Sequence, residues 1–284
     1  MKYKELDSKT KQKLEATQLE ILDEVVRVCE KHDIQYFLIG GTLLGAIRHQ
    51  GFIPWDDDVD IAMTRSDYNK FIEVAKIELN DNFYMHNIVT DHNYWNLFTK
   101  IRKNNTEFVI AETVDLKTHK GVSIDIFPYD NVNTIDGFGI KLQSLLKLVT
   151  VGAAHYKSGI IKDFKKIQYW YIACLFLVFS KKTLMRIGNL VITWNKNDNS
   201  DYLVNLSGPN SYKRESIPRA KLFPLKKVEF EKKDYYAIND TDYYLNKMYG
   251  DYMKLPPKNE RINHAPVKIS FNKGASWKNN EVIR

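Results

Sequence analysis

The stretch from residue 39 to residue 61, IGGTLLGAIRHQGFIPWDDDVDI, constrains the fold more than any other part of this 284-residue chain. It begins with a glycine pair after the apolar run at 36–39 and ends on Asp56, Asp57, Asp58 and Asp60. The apolar run reads as a short buried strand. Gly40 and Gly41 permit a tight turn and let a phosphate come close to the backbone. Thr42 suits an N-cap, and residues 43–48 can form a helix whose first amides face that turn. Gly51 and Pro54 mark the return. Val59, Ile61 and Met63 then alternate with Asp58, Asp60 and Ala62, which is the period of a strand.

That alternation carries the chemistry. Residues two apart on a strand share a face, so Asp58 and Asp60 stand side by side with Val59 behind them. Adjacent carboxylates repel unless a cation lies between them. Hard oxygen ligands at this spacing suit Mg²⁺, with Mn²⁺ as the alternative, and Mg²⁺ keeps substrate phosphates in its shell. A solvated acidic turn is the competing reading. The interleaved apolar residues and the phosphate-cradling turn just upstream argue against it.

A strand, Gly-Gly-Thr, a short helix and a strand bearing Asp-x-Asp resemble the polymerase-β type of nucleotidyltransferase fold. The full wording GGTLLGAIRHQGFIPWDDDVDIAM resembles the LicD family, which includes phosphocholine transferases of bacterial surface glycans and, more distantly, fukutin-related ribitol-phosphate transferases. The later segments TKIRKNNT (99–106), IDIFP (124–128), Phe230-Glu231 and YGDYMKLPP (249–257) extend the likeness over most of the chain. The expected fold is therefore α+β: a nucleotidyltransferase-like mixed sheet flanked by helices, with an inserted helical subdomain. The chain is expected to divide into a catalytic core at 1–135, a helical subdomain at 136–200 and a C-terminal segment at 201–284 that packs back on the core.

Taken in order, residues 10–32 form an amphipathic helix with Leu14, Ile21, Leu22, Val25, Val28 and Cys29 on its apolar stripe. Ser66 can cap a second helix. Residues 83–89, 95–102 and 107–111 read as strands. Lys100 and Arg102 alternate with Ile101 and share a face, where they can neutralise phosphate charge. An exposed basic edge strand is the alternative. Asp125 lies in the apolar strand at 122–127, where an unpaired carboxylate is costly. A cap or a salt-bridged core aspartate is the competing reading; beside Asp58 and Asp60, and by the polymerase-β pattern, Asp125 is expected as the third metal carboxylate. Arg48 either contacts phosphate or caps helical carbonyls.

The run at 167–179 is too short to span a bilayer. It is expected to be either a buried core helix or a surface element lying on the inner membrane face, with Lys162, Lys165, Lys166, Lys181 and Lys182 toward anionic lipid. Thr241 can cap a helix ending at Gly250. The Tyr-rich stretch from 235 to 252 offers aromatic faces for a base or a quaternary ammonium. The tail after about residue 270 is polar, as mobile termini are. The two cysteines, Cys29 and Cys174, are expected to be buried free thiols. The N-terminus lacks the apolar region of a signal peptide, so a cytoplasmic location is expected. The net charge of +7 favours anionic partners but not nucleic acid, because no zinc finger, RNP motif or long basic arm accompanies it.

The resemblance implies transfer of an alcohol phosphate, with CDP-choline the leading donor, to a hydroxyl of a teichoic acid, lipopolysaccharide or lipid-linked glycan precursor. Asp58, Asp60 and Asp125 would bind metal and serve catalysis. Gly40, Gly41, Thr42, Arg48, Lys100 and Arg102 would bind substrate, and Asp125 would take or orient the hydroxyl proton. Two other readings stay open: transfer of a nucleoside monophosphate from a triphosphate to a small molecule, and a catalytically inactive scaffold in glycan assembly.

Overall fold

A computed structural model describes residues 5–195, 198–273, 276, 278 and 279. Helix α1 (Ser8–Lys31) begins where the Asp7 carboxylate accepts from the Thr10 amide at 2.9 Å. The expected apolar stripe of α1 is buried, with Gln18 added to it. Strand β1 (Phe37–Leu38) leads into α2 (Gly40–His49), β2 (Asp60–Thr64) and α3 (Arg65–Glu78). Next come β3 (Phe83–His86), β4 (Thr99–Lys103), β5 (Glu107–Val109) and β6 (Ser123–Val132). Helices α4 (Phe138–Lys157), α5 (Trp170–Ala173) and α6 (Lys181–Ile192) follow. The chain returns as β7 (Tyr202–Val204), β8 (Ser216–Pro218), α7 (Arg219–Leu222), β9 (Lys226–Phe230), β10 (Lys233–Ala237), α8 (Thr241–Tyr249) and β11 (Lys268–Ser270).

Nine of the strands form one mixed sheet. Its main path runs β3-β4-β6-β2-β1-β10-β9, with β7 and β8 continuing from β6. This is the expected mixed sheet flanked by helices. Strands β2 and β6 are parallel, and their register places Asp60 directly beside Asp125. The Asp125 amide donates to the Val59 carbonyl at 2.9 Å, which locks the two acidic segments together. Strand β4 runs antiparallel to β6 and sets Lys100 opposite Asp125. Where α3 meets the sheet, Arg65 forms a forked pair with the buried Asp130 at 2.6 and 3.0 Å.

One apolar core joins α1, α2 and α3 to the sheet, with Ile21, Leu22, Phe37, Leu43, Ile61 and Phe71 among its fully buried side chains. A second cluster gathers Val149, Ala153 and Ala154 of α4 with Leu184, Met185 and Ile192 of α6. Helices α4 and α6 thus bury their apolar stripes against each other.

Several local expectations are corrected. Thr64, not Ser66, caps α3, and Asp240, not Thr241, caps α8. In each case the residue just before the first helical turn has the non-helical backbone and the side-chain oxygen that a cap needs. The strand expected at 95–102 is regular only from Thr99, where pairing with Ile126 begins. The run at 167–179 is not one buried helix. It breaks into α5 and a 3₁₀ turn at Cys174–Phe176, and Cys174 is exposed. A run that is apolar on every side cannot be covered by α4 alone. Much of the polar tail expected after residue 270 lies outside the described residues.

Candidate active site

The sheet, α2, α4 and α8 enclose a cavity of about 580 Å³, a size suited to a nucleotide-scale ligand. Gly40, Gly41, Asp58, Asp60, Lys100, Arg102 and Asp125 all line it. The glycine pair is required by close approach. Gly40 has φ +56°, and a Cβ there would lie 3.0 Å from Asp60 Oδ2. A Cβ on Gly41 would lie 2.4 Å from Asp56 Oδ2. The first turn of α2 therefore rests directly on two of the carboxylates.

Thr42 does not cap α2, because the helix already begins at Gly40 and Ile39 holds the cap position. Its buried hydroxyl instead accepts from the Asp60 amide at 2.8 Å and ties the helix to the acidic strand. We expect Thr42→Val to cost about 1 kcal/mol in denaturant unfolding, since it leaves a buried amide without its acceptor. An unchanged midpoint would show that this tie contributes nothing. The Gly40 amide donates to the Tyr244 hydroxyl at 3.1 Å, so the first-turn donors that remain for an anion are those of Gly41 and Thr42.

Asp56, Asp58 and Asp60 share one parity along the chain and crowd together. Burial, reinforced by Asp58, pushes the Asp56 carboxyl well above the usual carboxylate range. Burial, then Asp58 and Asp125, does the same to Asp60. Asp58 is also raised by burial, with His264 opposing. Carboxylate oxygens of Asp56, Asp57 and Asp58 lie within 4.8 Å of one another, close enough for a single cation to bridge. Asp57 also lines the cavity, but its carboxylate is already engaged. It accepts from the His264 amide at 3.1 Å and from its ring Nδ1 at 2.8 Å. The ring Nε2 then stands 3.8 Å from Asp58 Oδ2. These acidic partners overcome burial and raise the His264 imidazole to about 9.

Lys100 clasps both oxygens of Asp125 at 2.6 and 2.7 Å. Arg102 lines the same cavity, but its bonds go to the fold: Nε to His86 Nδ1 at 2.7 Å and a terminal nitrogen to the Gly121 carbonyl at 2.6 Å. Arg48 is outside the cavity lining. It donates to the Tyr252 carbonyl at 2.6 Å and lies over Trp55. Tyr252 lies past the end of α8, so this bond is not a cap of helical carbonyls.

Several groups at the cavity escaped sequence reasoning. Tyr249 and Tyr244 line the wall, but the tyrosine-rich stretch did not single them out. Lys147 of α4 donates to the Gly208 carbonyl at 2.9 Å, and burial lowers its amine to about 8. His264 gave no local signal, as it comes from 207 positions away.

Comparison with known proteins shows likeness to one family of transferases. The family model described as LicD/FKTN/FKRP, nucleotidyltransferase domain, matches residues 33–145. The chain is 29% identical over 252 residues to lipopolysaccharide cholinephosphotransferase LicD of Haemophilus influenzae, covering 87% of this chain and 92% of that one. It is 51% identical over 43 residues to ribitol 5-phosphate transferase FKRP of Homo sapiens, covering 15% of this chain and 9% of that one. An uncharacterized protein of Rickettsia prowazekii, RP689, is 27% identical over 137 residues, covering 41% of this chain and 52% of that one.

Proposed function

Because the chain belongs to the LicD family of phosphotransferases, we propose that it moves an alcohol phosphate from a CDP-activated donor to a hydroxyl of a cell-surface glycan precursor. Phosphocholine is the first candidate for the transferred group, by likeness to the Haemophilus influenzae enzyme. The observation that carries this reading is the convergence of Asp58, Asp60 and Asp125 beside the Gly40-Gly41 turn, inside a cavity of nucleotide size, with Asp56 packed against Gly41.

The donor set is all carboxylate oxygen, and burial together with neighbouring carboxylates raises the proton affinity of Asp56, Asp58 and Asp60, which fits a hard divalent cation such as Mg²⁺. Asp58, Asp60 and Asp125 would hold it, with Asp56 within reach. Such an ion supplies neutralisation of the charge that develops on the phosphates. The chain's own groups do the rest. The Gly41 and Thr42 amides present donors to phosphate oxygens. Lys100 and Asp125 both line the cavity, and bound phosphate would compete for the Lys100 ammonium group. That exchange frees an Asp125 oxygen to accept the proton of the incoming hydroxyl. The new bond joins the acceptor oxygen to the distal phosphorus, the bridging P–O bond breaks, and CMP leaves with the electron pair.

The test is thermal unfolding with a panel of CDP-alcohols, nucleoside triphosphates and nucleotide sugars, each with and without Mg²⁺. A ligand at 100 times its Kd stabilises by about 2.7 kcal/mol. Stabilisation by a CDP-alcohol that requires Mg²⁺ is the expected result, and the alcohol that stabilises most names the transferred group. Stabilisation by triphosphates alone, with pyrophosphate as product, would replace this reading with nucleotidyl transfer.

A further inference from the structure

Outside the cavity, the most unusual surface is the segment at 169–179. Val178 is 82% exposed, Leu175 72% and Tyr171 60%, with Tyr169, Trp170 and Phe179 also exposed. A contiguous run of large apolar side chains facing water marks a contact surface. It is not a failed core, because the same segment is anchored from beneath by Ile167 and Ala173, both buried in the cluster with α4 and α6.

The charge around this run identifies what covers it. Between residues 155 and 190 the chain carries Lys157, Lys162, Lys165, Lys166, Lys181, Lys182 and Arg186 against the single acid Asp163. Seven positive charges less one leaves +6 there, compared with +7 for the whole protein. A protein partner that merely needed an apolar patch would not require nearly the net charge of the entire chain beside it. An apolar run of aromatic and aliphatic side chains rimmed by lysines matches the interface of an anionic bilayer: rings and aliphatic groups enter the headgroup boundary while ammonium groups stay at the phosphates. No helix among the described residues is long and apolar enough to cross a membrane, so contact of this kind would be peripheral.

We propose that residues 161–182 dock the protein on an anionic lipid surface, with Trp170, Tyr171, Leu175 and Val178 inserted at the interface. The cavity supports this placement. Ile161, Lys166, Ile167 and Gln168 line it at the base of the same segment. A bilayer seated there would lie beside the cavity wall that these residues form, close to where an acceptor carried on a lipid would have to reach. That last consequence rests on the phosphotransfer reading, but the docking itself does not.

Vesicle sedimentation tests it with the full chain. We expect binding to vesicles of phosphatidylcholine mixed with phosphatidylglycerol, little binding to phosphatidylcholine alone, and loss of binding as salt is raised. Trp170→Ser/Leu175→Ser/Val178→Ser should weaken binding by about tenfold or more, and Lys162→Gln/Lys165→Gln/Lys182→Gln by a similar factor. Both variants should keep the wild-type melting temperature, and the first should keep its stabilisation by donor nucleotide. Brominated lipids should quench tryptophan fluorescence in the wild type and much less in Trp170→Phe. Absence of binding to either vesicle, or binding retained by both variants, would overturn the proposal. So would a wild-type dimer in lipid-free solution that the apolar variant abolishes, because the patch would then be covered by a second copy.

Discussion

Asp60→Asn is expected to lower turnover by about a thousandfold or more while leaving the fold intact. Two observations set the direction. Asp60 stands at the one position where the acidic segment, the Gly40 turn and Asp125 meet, through the parallel register of β2 and β6. Its attachment to the fold runs through its backbone, whose amide donates to Thr42, so an amide side chain of the same size disturbs no structural bond. Burial and the neighbouring Asp58, Asp125 and Asp56 raise the Asp60 carboxyl, so its charge opposes folding of the ligand-free protein. Asp60→Asn should therefore melt at the same temperature as wild type or higher without Mg²⁺. It should also lose the Mg²⁺-dependent stabilisation by nucleotide. Turnover close to wild type would remove Asp60 from the site. A large drop in melting temperature would instead make its role structural.

Much of this site was legible because a strand's period of two is a strong rule. The alternation around Val59 and Ile61 places Asp58 and Asp60 on the cavity side and Asp56 against Gly41, but it does not account for Asp57, which also lines the cavity and is held there by His264. Apolar runs separated by turn residues mark individual strands, and the mixed sheet they form is implied by the resemblance to the nucleotidyltransferase fold. What pattern could not give was the identity of long-range partners. Lys100 and Arg102 share a face by period, yet one clasps Asp125 and the other is held by His86 and Gly121. That difference depends on loops between β3 and β6 whose course no local rule specifies. His264 is the extreme case, since only the folded chain brings it to Asp57. The run at 167–179 failed for another reason. Hydrophobicity says that a segment leaves water but not what it enters, and here the fold leaves most of it uncovered.

Stability is expected to fall on acidification through the two buried histidines that hold this loop region. His86 accepts from Arg102 at Nδ1 and faces Asp91 Oδ2 at 2.8 Å through Nε2, while His119 accepts from the Gly121 amide at Nδ1 and faces Asn104 Oδ1 at 2.9 Å. Each ring is thereby fixed as one neutral tautomer. Burial lowers His86 to about 3 and His119 to about 2. The folded protein thus refuses protons that the unfolded chain takes up below about pH 6.5. The stabilisation from neutral imidazole is complete above that pH and is lost as the pH falls toward the folded values. At about pH 5 the loss is roughly 2 kcal/mol for each ring. Asp56, Asp58 and Asp60 act in the opposite direction, because their raised carboxyls gain protons in the folded state first and acid relieves their repulsion. His264 contributes on the alkaline side: its stabilisation is complete below about pH 6.5 and is lost as the pH rises toward about 9. A variant isolates the buried ring from these other groups. His119→Asn should be less stable than wild type at about pH 7.5, and the deficit should shrink by about 2 kcal/mol by about pH 5, because only wild type carries the proton-refusing ring. A deficit that stays constant across that range would mean that His119 is accessible to protons in the folded protein, and that the region between β3 and β6 opens more readily than its hydrogen bonds imply.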